Sequence, residues 1–231
     1  MGLLSSLLGK TKPVQSNLDA MFALPSASIT LQSAAGMSCS GSGGVCFKPP
    51  SGQGFEEMQA EVVKLLSMDS NSGFRKAEDS YGYHWLVIED ADIEELVTQI
   101  HLVNSSLSDA GWGPQLLCSV FGLADLPASG TGPGGELPAG AASDLSTDVG
   151  PGSDLGTASM PEPTAGPGRV IPSTAYLVYL FKRGTFYPFV PDGHEHRNVQ
   201  QELKLKSLVA DDLTVETDLD RWFPLWDLPV A

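Results

Sequence analysis

Two runs of aromatic and branched residues, Tyr176–Phe181 and Thr185–Val190, flank the short break Lys182-Arg183-Gly184. Side chains of this kind fit a pleated, half-buried surface, and a glycine-containing break between two such runs predicts a hairpin. Leu116–Leu123 and Ala175–Phe181 are near-continuous apolar stretches, the pattern of central strands covered on both faces. Pro188 removes a backbone donor, which places the 185–190 strand at an edge or a bulge. Further forward, Tyr81, Tyr83, Trp85 and Val87 alternate with Gly82, His84, Leu86 and Ile88, the period of a strand.

Helical spacing appears in three places. Phe55, Met58, Val62, Leu65 and Leu66 share one face, and Glu56 and Glu57 in the first turn suit the helix dipole. Ile93, Leu96, Val97, Ile100, Val103 and Leu107 form a continuous stripe from about Asp92 to Ala110. Asp92 with Glu95 resembles a capping box, and Gly111 is positioned as a C-terminal cap. A weaker pattern around Asn198–Ala210 carries Val199, Leu203, Leu208 and Val209. At the front, Asn17–Leu24 reads as a short helix stopped by Pro25. Ile29–Leu31 and Gly44–Phe47 then read as strands, separated by a Gly/Ser turn from Ser38 to Gly43. The expected fold is α+β: a mainly antiparallel sheet covered by two or three helices.

Residues 127–173 break every pattern. Gly, Pro, Ala, Ser, Thr and Asp dominate, with no aromatic residue and no repeating apolar face, so this long loop is expected to be disordered. Loop-closure entropy grows slowly with length, which makes it an insertion within one domain, residues 13–231, and not a linker. Residues 1–12, MGLLSSLLGKTK, form a separate amphipathic peptide. Leu3, Leu4, Leu7 and Leu8 fall on one helical side, with Lys10 and Lys12 behind them. Such a segment suits a bilayer interface or a partner helix, although isolated helices this short are marginal in water. Gly2 with Ser6 also fits a myristoylation pattern. A frayed terminus or an intramolecular clip is the bland alternative.

The chain holds 13 basic and 28 acidic residues for a net charge of −15, which opposes nucleic-acid backbones. No apolar run reaches the length of a membrane span and the start lacks a secretory pattern, so a cytoplasmic protein is expected. Cys39, Cys46 and Cys118 cannot all pair within the chain. Cys46 and Cys118 sit in apolar runs, and both are expected to be inert core thiols, with no neighbouring base evident.

Candidate chemistry is thin. His194-Glu195-His196 follows the turn Pro191-Asp192-Gly193 and reads as a solvated loop, since no third metal ligand can be named. His84 and His101 sit beside apolar stretches as structural residues. The carboxylate pairs Glu56-Glu57, Asp90 with Asp92, Glu94-Glu95 and Asp211-Asp212 sit at helix starts or exposed faces. No phosphate loop, dinucleotide fingerprint, nucleophile elbow or H-E-x-x-H occurs. No enzyme activity, cofactor or metal is expected. The basic tip Lys182 and Arg183 could meet an acidic partner. The apolar tail containing Trp222, Phe223 and Trp226 is expected to dock on the body, with a partner contact as the alternative.

Several blocks together carry a resemblance: NLDAMFALPSASITLQ (Asn17–Gln32), GVCFKP (Gly44–Pro49), YGYHWLVIED (Tyr81–Asp90), GPQLLCSVFGL (Gly113–Leu123), YLVYLFKRGTFYPFVP (Tyr176–Pro191) and DLDRWFPLW (Asp218–Trp226). These resemble the PspAB family, small cytoplasmic proteins associated with the phage-shock protein PspA, found mainly in actinobacteria and archaea. The resemblance implies a binding and regulatory role in the envelope-stress response. The implied partner is PspA or a related membrane-stress protein, met near the inner face of the membrane. It transfers no functional residue. Two other readings stand beside it: a secretion-chaperone-like module that holds a client segment, and an enzyme of unrecognised type.

Overall fold

The computed structural model describes residues 16–48, 53–66, 73–126 and 174–230. The peptide 1–12 and the stretch 127–173 lie outside the described residues, as does any structural test of the expectations placed on them.

Six strands form one antiparallel sheet: β1 (Met37–Phe47), β2 (Gly73–Glu78), β3 (His84–Glu89), β4 (Leu116–Asp125), β5 (Ala175–Leu180) and β6 (Thr185–Phe189). Their order is β2-β3-β1-β4-β5-β6. β4 and β5 are neighbours, with Cys118 opposite Leu180 and Leu123 opposite Ala175. The two flanks of residues 127–173 therefore build adjacent strands of one sheet. Pro188 lies on the edge strand β6, where a missing donor leaves no central ladder broken.

Alternation along the strands sends side chains to two covered faces. Val45, Phe47, Leu86, Ile88, Phe121, Leu177, Tyr179 and Phe186 pack on one side in a core shared with the helices. Helix α1 (Leu24–Ala35) contributes Leu24, Ala27 and Leu31 to it. Helix α3 (Ile93–Leu107) contributes Leu96, Val97, Ile100, Val103 and Leu107, the stripe that its spacing predicts. Helix α4 (Val199–Val209) contributes Leu205 and Val209. Helix α2 (Gln53–Leu66) lies against α3, with Val62 buried. No helix among the described residues is long and apolar enough to cross a membrane.

The opposite face has no helix over it among the described residues. Cys46, Trp85, Val87, Cys118, Val120, Tyr176, Val178, Tyr187 and Phe189 are covered by the C-terminal tail through Trp222 and Val230, with Leu225, Trp226 and Leu228 partly buried beside them. Side chains of the sheet fasten the tail through its carbonyls. The Tyr187 hydroxyl donates to Phe223 O at 2.7 Å, the Tyr176 hydroxyl to Val230 O at 3.2 Å, and Arg75 to Pro229 O. The predicted docking of the tail is what the structure has.

The front of the chain differs from the sequence expectation. Pro25 does not stop a helix; it lies in the first turn of α1, where its missing N–H costs nothing, and a 3-10 turn at Leu18–Ala23 runs into it. Ile29–Leu31 is helical, not a strand, and the helix ends at Gly36 in the left-handed conformation, φ 66°. Ser38–Gly43 is strand, not turn. A β-bulge between Cys39 and Gly43, with Gly41 at φ 80°, absorbs the glycines. A Cβ on Gly43 would sit 2.7 Å from Ile100 Cδ1 and 2.9 Å from Val120 O, so glycine lets α3 approach the sheet. Strand β2 has no counterpart in the sequence reading. Its polar pattern, Phe74-Arg75-Lys76, is that of an exposed edge.

The α3 cap is also different in detail. The Asp92 carboxylate accepts Glu94 N–H at 2.8 Å, as an N-cap should, but the Asp92 N–H donates to Asp90 Oδ1 at 2.9 Å. Asp90, not Glu95, closes that end, because an aspartate two residues upstream already reaches the orphan donor.

Candidate functional site

A cavity of about 720 Å³ opens between the tail-covered sheet face, the β2–β3 turn, the β5–β6 hairpin tip and the tail itself. One cross-strand row makes its floor. Trp85 lies opposite Cys46, Cys46 opposite Cys118, and Cys118 opposite Leu180, and all four line the cavity. Leu117, bulged where the β1–β4 register shifts after Cys46, adds to the wall. Phe223, Pro224, Leu225 and Trp226 close the tail side. Apolar atoms dominate this lining, as expected of a ligand recess.

The mouth is built by the β2–β3 turn. Asp79 Oδ1 accepts the N–H groups of Tyr81 and Tyr83 at 3.0 and 2.9 Å, and Gly82 supplies the left-handed residue, φ 79°. Asp79 Oδ2 accepts Trp85 Nε1–H at 2.9 Å, which fixes the indole on the floor. Both carboxylate oxygens of Asp79 are thus engaged in holding the turn. Tyr81 is 56% and Phe223 56% exposed, so the opening presents aromatic surface to solvent.

Three cations line the recess, Lys182, Arg183 and Arg221. Two are committed elsewhere. Arg183 Nε donates to Glu216 Oε2 at 2.5 Å, and Arg221 lies 3.7 Å from Glu216 and 3.4 Å from Asp218. Lys182 is exposed and has no ion-pair partner among the described residues.

Burial holds the Tyr187 phenol well above its ordinary value, with Cys118 adding to the effect and Arg197 opposing it. The hydrogen bond to Cys118, then burial, push the Cys46 thiol up as well. Neither group is an ionised nucleophile at neutral pH.

The residues singled out from sequence scatter. Lys182, Arg183, Phe223 and Trp226 meet at the cavity. Trp222 does not line it: it is 5% exposed, stacks on Tyr187 at 5.9 Å between centroids, and donates its indole N–H to Glu216 O. Leu3, Leu4, Leu7, Leu8, Lys10 and Lys12 lie outside the described residues. The described chain begins nearby, however. Asn17 O accepts the Tyr179 hydroxyl at 2.8 Å, and a Cβ on Gly184 would meet Asn17 Cβ at 3.0 Å. His194-Glu195-His196 is an exposed turn with His194 and Glu195 both at positive φ, 48° and 57°. No cluster of three or more metal-ligating side chains occurs among the described residues.

The thiol pair, Asp79, Tyr81 and Tyr83 were missed as site residues. Their one sequence signal is that Cys46 and Cys118 occupy inward positions of two apolar strands. Which residues face each other depends on register, and the Cys39–Gly43 bulge hides that register.

Comparison with known proteins gives no significant match to a curated protein or to a solved structure. A family model does match, that of PspA associated protein B, over residues 1–131 and 162–230, most of the chain. The unmatched residues 132–161 fall within the Gly/Pro-rich stretch. The chain belongs to the PspAB family, PspA associated protein B.

Proposed function

We propose that this protein is a non-enzymatic binding and regulatory partner of PspA. In this reading it seats an apolar side chain of that partner in the tail-side cavity and holds an adjacent carboxylate on Lys182. The family relation supports PspA as the partner. The observation that carries the mode of binding is the cavity itself, an apolar recess with exposed Tyr81, Tyr83 and Phe223 at its mouth. Aromatic side chains around a central pocket are the composition of protein interfaces. On a chain of net charge −15, a lysine at that rim with no ion-pair partner among the described residues selects a local acidic group and sets the orientation of docking.

Two features support binding over catalysis. The carboxylate lining the recess, Asp79, has both oxygens occupied by its own turn. The Cys46 thiol holds its proton. The client-holding reading draws less support, because both faces of the sheet are covered among the described residues.

The reading extends to the membrane surface at the cytoplasmic side. Asn17 packs against Gly184 of the same hairpin that carries Lys182 and Arg183. In this reading the amphipathic peptide with Leu3, Leu4, Leu7, Leu8, Lys10 and Lys12 supplies an interfacial anchor that acts together with the partner site. Pull-down with PspA tests the proposal, using the full chain, a chain lacking residues 1–12, and Phe223→Ala. The full chain is expected to retain PspA and Phe223→Ala to retain much less. No association with either the full or the shortened chain contradicts the proposal.

A further inference from the structure

Cys46 and Cys118 stand directly opposite each other on β1 and β4, and both line the cavity floor. Directly opposed residues in an antiparallel ladder have Cα atoms about 4.5–5.5 Å apart. That range falls inside the Cα separation of about 4.4–6.8 Å over which a disulfide closes without backbone movement. Both thiols are free. Two buried thiols facing each other in a core need no route to solvent, yet this pair is reached through a half-open recess whose mouth residues are exposed.

We propose that Cys46 and Cys118 are a redox-active dithiol, oxidised by a hydroperoxide that enters the cavity to give an intrachain disulfide bridging β1 and β4. The two thiols have different roles. Cys46 is the more enclosed, 2% against 6% exposed, and keeps its proton on account of its hydrogen bond to Cys118 and its burial. Cys118 is the attacking sulfur. The Cys118 sulfur attacks the peroxide oxygen and displaces alkoxide, forming the S–O bond as the O–O bond breaks. The alkoxide leaves as an alcohol with the proton Cys118 gave up, and Cys118 becomes a sulfenic acid. The Cys46 sulfur then attacks the Cys118 sulfur, the S–O bond breaks, and the hydroxide departs as water with the Cys46 proton. Two thiols lose two electrons and two protons, and one peroxide becomes one alcohol and one water. A thiol or dithiol reductant reverses the bridge by exchange.

The apolar lining favours a hydroperoxide with an organic substituent over a fully hydrated one. Cys39 is the internal control. It is part-buried, does not line the recess, and burial raises its thiol pKa. This inference is independent of the partner, since it is read from the purified chain alone.

The experiment treats the native full chain with cumene hydroperoxide, quenches with a thiol alkylator, and maps the peptides by mass. The expected result is a peptide pair joined through Cys46 and Cys118, alkylated Cys39, and loss of the bridge on adding dithiothreitol. Cys46→Ser is expected to stop at a sulfenic acid on Cys118, trapped by dimedone. Cys39→Ser is expected to form the bridge as the native chain does. Three free thiols after treatment, bridges to Cys39 or between molecules, or reaction only in denaturant would each overturn the proposal.

Discussion

The Glu216 carboxylate accepts the Arg183 Nε–H at 2.5 Å, joining the tip of the β5–β6 hairpin to the start of the C-terminal tail. Around this pair the backbone completes the junction: Phe186 N–H donates to Thr214 O at 2.9 Å and Glu216 N–H to Phe186 O at 2.7 Å. The same carboxylate accepts from Thr185 Oγ1 and from Asp218 N–H, and lies near Arg221. One buried side chain thus anchors two cations of the cavity rim and the segment that leads into its tail wall.

That environment sets an acid dependence. Burial alone would raise the Glu216 carboxyl, but the Asp218 N–H, Arg183 and Thr185 outweigh it and hold it below the usual carboxylate range. A depressed folded pKa contributes stability that is full above the ordinary value near 4.5 and is lost as pH falls through the folded value. Glu216→Gln is expected to lower stability by about 1.5–3 kcal/mol at neutral pH, the range for hydrogen bonds to a charged group. Urea unfolding across pH checks it: the gap between native and variant narrows below pH 4.5.

Trp222 and Phe223 are neighbours with opposite roles. Trp222 is 5% exposed, stacked on Tyr187 and bonded to Glu216 O, with the Lys206 ammonium 5.7 Å from its ring. Trp222→Ala should cost about 3–5 kcal/mol. Phe223 is 56% exposed, and its alanine variant should lie within about 0.5 kcal/mol of the native chain. Paired denaturant melts decide this, and a large loss for Phe223→Ala would move that ring from partner contact to core.

Gly43→Ala tests the close approach of α3 to the sheet. The added methyl would meet Ile100 Cδ1 at 2.7 Å and, less yieldingly, the backbone Val120 O at 2.9 Å. Overpacking of this kind costs about 1–3 kcal/mol, read as a lowered midpoint in thermal unfolding. Gly36 has open space but φ 66°, so its alanine variant would be destabilised through backbone strain instead.

Much of this fold was legible in the chain. The α3 stripe, the β4 and β5 runs, the Lys182–Gly184 break and the edge position of Pro188 follow from local period and backbone chemistry, which sequence displays directly. The front was misread because Pro25 and the Ser38–Gly43 glycines each serve two structural purposes: proline opens helices as well as stopping them, and glycine lines bulged strands as well as turns. Tertiary packing against Ile100 decides for strand. The site was legible only in pieces. Lys182 and Arg183 stood out as a basic tip on an acidic chain, and Phe223 and Trp226 as part of an apolar tail expected to dock, whereas the Trp85–Cys46–Cys118–Leu180 row exists only once the register is fixed.

The central claim, that the tail-side recess receives PspA with Lys182 at its rim, is tested most directly by calorimetric titration of the full chain with purified PspA. The measurement compares native protein, Lys182→Glu and, as a control of equal charge change on α4, Lys204→Glu. Saturable binding by native protein and by Lys204→Glu, weakened at least about tenfold by Lys182→Glu, is the predicted result. Absence of binding, or equal affinity for the native and Lys182→Glu chains, would contradict it.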